Sequence, residues 1–565
     1  MYAAYMATTS LMFHRISIPL ALCLCAARAA AGVPAFSAAD VVNAASFAPG
    51  AVAPGEIVSI FGAELGPTEP AGMQLSADNR YVATRLAGTR VLFDGIPAPL
   101  TYVSSRQVNA VVPLAVKGKS STRVQVEYLG VLSPVVVVPV SRTSHGVFTS
   151  SGKGQGQGAI LNWPGNTVNG AGSPASRGSW AIVYATAGGW EGPAAEDGRV
   201  AEAAVRFPIA VAATVGDVPA EVLYAGSAPS LVMGVLQVNL RIPGWAPAGD
   251  AVPLVLSIDG VRSQAGVTMA VQRAGPGAGI TLCSPYSVKA NVYKGQMHCH
   301  STNSDGKQAP ADVVRAYKEA GYDFVALTDH SRVAADPGVP GIFFLPGMEQ
   351  GPSGKHLNRI GGAKAALSGE VQPLIDRALA EDEFVFLNHP NWPGGYPANP
   401  NWSDADFAAV RGFHGVEVWN SLVQPNSNAE GRIDDLLSQR RRLLLVATDD
   451  CHDQANNNCR TGSTRVFADR LDASEILGNL KAGNFYASNG AEISSIAVAD
   501  RTITVRTVQP GAIEFIAAGG RVVQSASGAT SASFTAAGDE IYVRARVTCG
   551  ADKKMAWTNP IWVER

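Results

Sequence analysis

Charge is scarce in this chain, and what there is nearly cancels. Of 565 residues 16% are charged, 44 basic against 46 acidic, for a formal net charge of −2. No basic stripe runs through the sequence, so the phosphate-neutralising surface that bulk nucleic-acid binding needs is missing. The one cationic run, Arg440-Arg441-Arg442, falls at the end of a helical pattern, where cations complement the helix dipole. Long apolar runs are missing too. Beyond the N-terminus no stretch approaches the roughly 20 apolar residues of a membrane-spanning helix, and no transmembrane anchor is expected. Cysteine is sparse, with seven in all, and Cys23 and Cys25 fall within the first 31 residues. The other five are Cys283, Cys299, Cys451, Cys459 and Cys549. An odd number leaves at least one unpaired. Cys451 and Cys459 could close a short loop in an oxidising compartment, with free buried thiols as the other reading.

What is present is the composition of a globular protein, 47% hydrophobic. The length calls for more than one core, roughly two to four domains. At the N-terminus His14 and Arg15 precede an apolar run from Ile16 to Ala27, and Ala29 and Ala31 offer A-x-A-like cleavage sites. This pattern predicts a signal peptide over residues 1–31 and an exported, periplasmic or extracellular, mature protein.

Residues 33–273 read as β-structure, with Val, Ile, Ala and Thr runs broken by Gly, Pro, Asn and Ser. Gln107-Val108-Asn109-Ala110-Val111-Val112-Pro113 returns 130 positions later as Gln237-Val238-Asn239-Leu240-Arg241-Ile242-Pro243. Gly130 and Ser133 return as Gly260 and Ser263 at the same shift, and Asp94-Gly95-Ile96-Pro97-Ala98 is echoed by Gly216-Asp217-Val218-Pro219-Ala220. Two copies of one Ig-like β-sandwich are expected, over 33–145 and 146–273. The segments from Val41 to Gly62 and from Gly172 to Gly189 resemble a β-rich domain of secreted Acidobacteria-type proteins. That resemblance implies export and a cell-surface partner for these sandwiches, not chemistry.

From Pro285 helical patterns alternate with short apolar runs, the texture of a βα-repeating domain over 285–488. Strand-like runs are Phe324–Leu327, Ile342–Leu345, Phe384–Leu387, Val416–Trp419 and Leu443–Ala447, with helical stretches such as Gln372–Glu381 and Ala429–Arg440 between them. The runs stop at Asp329-His330, Glu349, His389, Asn420, and Asp449-Asp450 followed by His452. In β/α barrels functional residues gather at the C-terminal ends of strands. Residues 489–565 lose helical period and read as a small closing β domain.

Histidine use points the same way. Six of nine, His298, His300, His330, His356, His389 and His452, fall at strand ends or beside acidic residues within this one region, interleaved with Asp305, Glu349 and Asp450. On an extended segment His298 and His300 point the same way while Cys299 points elsewhere. Imidazole with carboxylate suits Zn, Mn or Fe, and nine donors exceed what one four-coordinate ion needs. Two or three divalent transition metal ions are therefore expected. Asp329 and Asp449 are placed to orient ligand imidazoles or to cap the next turn. His414 precedes its strand and stands at the wrong end for a ligand.

The ordered set His298-Cys299-His300, Ser304-Asp305-Gly306, Thr328-Asp329-His330, Gly347-Met348-Glu349, His356, Asn388-His389-Pro390 and Asp450-Cys451-His452 resembles the polymerase-and-histidinol-phosphatase (PHP) superfamily. The resemblance implies a distorted (β/α)7 barrel with two or three metals. His298, His300, Glu349 and Asp450 would hold one metal and carry the catalysis through an activated water, with no side-chain nucleophile. Glu349 would bridge to a second metal bound by His356 and His389; Asp305, His330 and His452 would hold a third. The stretch from Glu349 to His356 and the trailing β region are similar to an exported, carbaryl-hydrolase-like branch. The implied activity is hydrolysis of a small-molecule phosphoester, with carboxylic or carbamate ester hydrolysis as the alternative. A surface binding or adhesion protein with a non-catalytic barrel is the rival of another class. Arg332, Lys355 and Arg359 stand near ligands as contacts for phosphate oxygens, and Asn388 and Asn420, with Asn391, Trp392 and Trp402, as cleft-lining residues.

Overall fold

The computed structural model describes residues 32–190, 195–273, 279–362, 366–392, 401–423 and 425–564. The expected signal segment, 1–31, lies outside them. The described chain is multidomain and mostly β: two five-stranded sheets, two six-stranded sheets and one sixteen-stranded sheet, with five α-helices of six to ten residues.

The first four sheets form two pairs. In the first, Val41–Asn43, Ile57–Phe61, Gln107–Val111, Leu100–Val103 and Ala71–Gly72 lie side by side in that order. The facing sheet runs Val136–Pro139, Ser121–Tyr128, Thr89–Phe93, Ile96–Pro97. Alternate residues of each turn inward, so Val58, Ile60, Val108 and Ala110 meet Val91, Phe93, Val124 and Val126 in one apolar cluster. The second pair repeats the plan around its own cluster. Val235–Arg241 sits between Trp180–Ala187 and Val222–Ser227, just as Gln107–Val111 sits between Ile57–Phe61 and Leu100–Val103. The Gln-Val-Asn echo thus marks equivalent strands.

The second echo has a backbone cause. Asp94-Gly95 and Gly216-Asp217 are two-residue hairpin turns with positive φ at both positions (51° and 83°; 60° and 64°). That turn matches the twist of the flanking strands and favours Gly and Asp in either order.

In the region after residue 285, Asn291–Gln296, Phe324–Leu327 and Phe343–Gln350 are parallel neighbours, and so are Phe384–Leu387, Gly415–Asn420 and Leu444–Thr448. All five expected strand runs are present, and Pro310 opens the helix Pro310–Glu319. The structure is more sheet-rich than a ring of seven βα units. Leu357–Ile360 runs antiparallel to both its neighbours, directly after Phe343–Gln350 with no helix between. Among the described residues no backbone ladder joins Leu444–Thr448 to Ser463–Ala468; the link is the Thr464 hydroxyl, which accepts from Ala447 N at 3.3 Å. The sheet then continues through Phe485–Ser488 into Lys554–Thr558 and the remaining C-terminal strands.

Ion pairs tie these parts together. Glu564 at the C-terminus accepts from Arg177 of the second sheet pair at 2.6 Å and from Arg442 at 2.8 Å. Arg442, read above as a helix-end cation, is thus spent at a buried junction. The helix Glu430–Ser438 presents Glu430 and Asp434 to the fully buried Arg544, both at 2.6 Å.

Candidate metal centre

Three strand ends are stitched into one rim. Gln296, last residue of its strand, accepts from Met297 N and His298 N through its Oε1, fixing the turn into the His-Cys-His segment. His298 O accepts from Asp450 N and Cys451 O from His300 N, both at 2.9 Å, while Cys299 O accepts from Thr328 N. The segment is therefore extended and His298 and His300 share a side. Cys299 turns the other way, into an apolar cluster with Val313, Tyr317, Val325 and Leu327.

On the shared side His298 Nε2 lies 3.2 Å from both Glu349 Oε2 and Asp450 Oδ1. His300 Nε2 lies 3.1 and 3.3 Å from the same two atoms. All four residues are buried. Yet His298 Nε2, His300 Nε2 and Asp450 Oδ1 have no hydrogen-bond partner. Buried polar atoms are almost always satisfied, and an exception marks a missing partner such as an ion. Two imidazole nitrogens and two carboxylate oxygens aimed at one point, without hydrogen-bond geometry among them, fit a divalent transition metal.

Glu349 links this group to the next. Its Oε1 lies 2.9 Å from His356 Nδ1 and 3.3 Å from His389 Nε2, and its Oε2 also faces His330 Nδ1 at 3.4 Å. Asp305 closes the outer side, with Oδ2 at 3.5 Å from His330 Nε2 and 3.3 Å from His452 Nε2, and Oδ1 at 3.4 Å from His300 Nδ1. His330 with Glu349 and His356, and His300 with Asp305, His330 and His452, each bring one donor atom per residue within 4.8 Å of one another. All nine expected ligands thus converge. Two allocations differ from the expected sets: His330 completes the compact group with Glu349 and His356, where His389 was expected, and His300 also joins the outer group.

Burial is graded across the cluster. The inner four are closed off, whereas the Asp305 side chain is 53% exposed and those of His330, His356 and His452 are about a third to a quarter exposed. Burial alone would strip His298 of its proton, but Asp450, Glu349 and Glu417 outweigh it and hold the imidazole well above its usual range. His300 is carried to about 9 against the same burial by Asp450 and Glu349. Burial pushes the Glu349 and Asp450 carboxyls up, but His298 and His300 hold both down. Carboxylates thus favour positive charge beside His298 and His300, whereas burial lowers the His330 imidazole. Two of these candidate ligands also sit on left-handed backbone, His389 at φ 30° and Asp450 at φ 53°, a cost typical of functional positions.

Several sequence expectations are redirected. Arg359 is fully buried and faces away from the centre, bonding Glu383 at 2.5 Å, Glu381 at 2.7 Å and Gln350 at 2.9 Å. Its strand neighbour Asn358 faces inward instead, because side chains alternate across a strand. Arg359 is therefore no phosphate contact. Lys355 is held by Asp406 at 2.6 Å, and Arg332 is exposed beyond His330. Asn388 and Asn420 support ligands: Asn388 Nδ2 donates to Glu349 Oε1 at 2.8 Å, and Asn420 Nδ2 to Asp450 Oδ2 at 3.3 Å. Asp449 orients no imidazole. Its carboxylate accepts from the backbone N–H of Arg460, Thr461 and Gly462, and so pins the loop after the strand. Asp329 reaches His300 only through Ser304, whose hydroxyl lies 2.9 Å from Asp329 and 3.4 Å from His300 Nδ1. Cys451 is disulfide-bonded to Cys459, and Cys283, Cys299 and Cys549 are free and buried. Trp402 is core, whereas Trp392 is 44% exposed and stands edge-on to His389 at 5.9 Å. His414, buried, accepts from Val385 N and takes no part.

Glu417 was missed. It is fully buried, with Oε1 at 2.7 Å from His298 Nδ1. Its signal was a lone acid inside the apolar run Val416-Glu417-Val418-Trp419.

No family model matches this chain, and no curated protein matches it. Among solved structures it is similar to a two-domain protein from Bacteroides vulgatus described as containing a predicted PHP-like metal-dependent phosphoesterase. That match has 18% identity and a TM-score of 0.30, over 49% of this chain and 97% of that one. It is also similar to the lesion-specific endonuclease EndoQ of Pyrococcus furiosus (15% identity, TM-score 0.28, 34% of this chain and 56% of that one). A third is an amidohydrolase from Chromobacterium violaceum (15% identity, TM-score 0.20, 29% and 93%).

Proposed function

We propose that this chain is an exported metal-dependent hydrolase of PHP type that cleaves phosphoesters at a two- or three-metal centre. The observation that carries the reading is the convergence of His298 Nε2, His300 Nε2, Glu349 Oε2 and Asp450 Oδ1 in a buried pocket without hydrogen bonds among them. In this reading these four residues would hold one cation, Glu349 and His356 with His330 or the adjacent His389 a second, and Asp305, His330 and His452 beside His300 a third. When bound, such ions supply Lewis-acid charge and make water acidic enough to act as nucleophile near neutral pH.

The chain itself binds, orients and shields. Glu349 turns one oxygen to each neighbouring group, so its charge is shared between them. Asn420 holds the outer oxygen of Asp450 and leaves its Oδ1 to the inner group, while Asn388 steadies Glu349 through Oε1, the oxygen that faces His356 and His389, and leaves Oε2 to the inner group. The nearby hydroxyls are committed: Ser301 and Ser304 to Asp329, Ser421 to Asp449. No side-chain nucleophile is left at the rim among these groups, which suits attack by water. The graded burial opens the cluster toward Asp305, His330 and His452, the side from which substrate enters.

A second reading is cleavage of a carboxylic or carbamate ester. It is favoured by Lys355 and Arg359, both neutralised by carboxylates, and by the exposed face of Trp392 beside His389, which suits an apolar leaving group. The likeness to a carbaryl-hydrolase-like branch agrees with it. The two sheet pairs, read as Ig-like modules related to a secreted Acidobacteria-type domain, serve export-linked display or a surface partner. A purely adhesive role leaves the nine assembled donors unexplained.

Metal analysis of protein purified without chelators, followed by assay with p-nitrophenyl phosphate, bis-p-nitrophenyl phosphate and naphthyl carbamates, tests the reading. Bound transition metal and phosphoester turnover support it. Turnover of carbamates alone supports the second reading, and metal-free, inert protein overturns both.

A further inference from the structure

One buried carboxylate outside the nine donors touches several parts of the centre at once. Glu417, at 0% exposure on Gly415–Asn420, accepts four hydrogen bonds. Oε1 takes His298 Nδ1 at 2.7 Å and the Thr448 hydroxyl at 2.6 Å; Oε2 takes the backbone N–H of His389 at 2.5 Å and Asn420 Nδ2 at 2.8 Å. These partners stand on four different strand ends. Three of them lead to ligands: His298 itself, the left-handed backbone of His389, and Asn420, whose amide also meets Asp450 Oδ2 at 3.3 Å.

The consequence is directional. With Nδ1 bonded to Glu417, His298 turns its Nε2 to the centre, and that atom has no hydrogen-bond partner. With Oδ2 bonded to Asn420, Asp450 turns its Oδ1 the same way, and that atom is unpartnered too. The outward atoms of two inner ligands are thus both occupied through one carboxylate. Carboxylates in this position fix the imidazole tautomer and raise its basicity toward a metal.

We propose that Glu417 is the positioning residue of the inner cation site, aligning His298, Asp450 and the His389 backbone so that their free atoms meet at one point. This rests on the metal-centre reading above and assigns within it a residue that holds no metal itself. An amide cannot replace it. Four donors face the two oxygens, so Glu417→Gln must set its NH2 against two of them. If it faces His298, the ring must give up its Nδ1 proton and carry one on Nε2, pointing it at the cation.

The test is titration of the full chain with Co2+ and Zn2+, read by visible absorption and by chelator competition, for wild type, Glu417→Gln and Glu417→Asp, with circular dichroism as the fold control. We expect Glu417→Gln to stay folded, to bind the tightest cation about 10–100-fold more weakly and to alter its Co2+ spectrum. Glu417→Asp, which keeps the charge, should recover part of that loss. If the wild type binds no metal, the functional reading itself fails. If the wild type binds and Glu417→Gln binds with the same affinity and spectrum, only the role of Glu417 is overturned. Should Glu417→Gln not fold, Glu417→Asp decides: weaker binding with an altered spectrum supports the role, and wild-type binding overturns it.

Discussion

Asp449 and Asp450 are adjacent in sequence and point to opposite sides of the same strand end. Asp450 sets Oδ1 3.2 Å from His298 Nε2, while Asp449 collects the N–H groups of Arg460, Thr461 and Gly462 with Gln296 Nε2 and the Tyr317 hydroxyl. One carboxylate faces the centre and the other builds its support. Substituting each separates the two tasks.

Asp450→Ala should remove the inner cation and lower turnover by at least about 100-fold, since even supporting residues cost 10–100-fold. The sheet pairs at 33–273 lie outside the centre, so their unfolding should be unchanged. Metal stoichiometry alongside calorimetry checks both halves; full metal content in the variant would count against the centre.

Asp449→Asn should behave in reverse. Its amide would set an NH2 against several buried donors, costing roughly 2–4 kcal/mol of stability. A lower thermal midpoint with metal still bound after folding is the expected result. A variant as stable as wild type would show that the loop does not depend on this carboxylate.

The Cys451–Cys459 disulfide adjoins the candidate centre, with the proposed ligands Asp450 and His452 flanking Cys451. Closing so short a loop is worth about 2–3 kcal/mol by chain entropy. Cys459→Ser, or reduction, should free the loop and speed metal release to a chelator. Equal release rates with and without reductant would contradict this.

Asp376 provides the pH test. It sits on the helix Val371–Ala380 with Arg262 of the second sheet pair 3.9 Å away, and its buried Oδ2 has no hydrogen-bond partner. Burial raises its carboxyl from 3.8 to about 6, only partly offset by Arg262 and Gln372. A raised folded pKa means stability present below 3.8 and lost as pH climbs through about 6. Asp376→Asn should flatten that loss and be more stable than wild type at pH 7.5, by on the order of 1–3 kcal/mol. Denaturant curves at pH 4 and 7.5 decide; the same gap at both values would show that ionisation is not the cause.

Much of the centre was legible without coordinates, for two reasons. Alternation in an extended segment puts His298 and His300 on one side whatever surrounds them, and polar stops after apolar runs mark a rim. His356 was harder, because it stands just before a strand where every other candidate ligand ends or follows one. It reaches the rim only because Leu357–Ile360 runs backwards, which no local period announces. Arg359 was misplaced for the same reason: without that strand its side could not be assigned. Alternation of patterns announced a βα-repeating region and the PHP resemblance implied a ring of seven such units, whereas the antiparallel insertion makes the region richer in sheet.

The order of nine donors, the doubled β unit and the scarcity of cations were set by the chain alone, because each depends only on residue identity, spacing and local period. Which carboxylate steadies His298, which asparagines back Glu349 and Asp450, and where Arg359 spends its charge were decided by tertiary structure. Those contacts join residues roughly 10 to 120 positions apart, and their geometry follows from strand direction and pairing, quantities that local sequence does not carry.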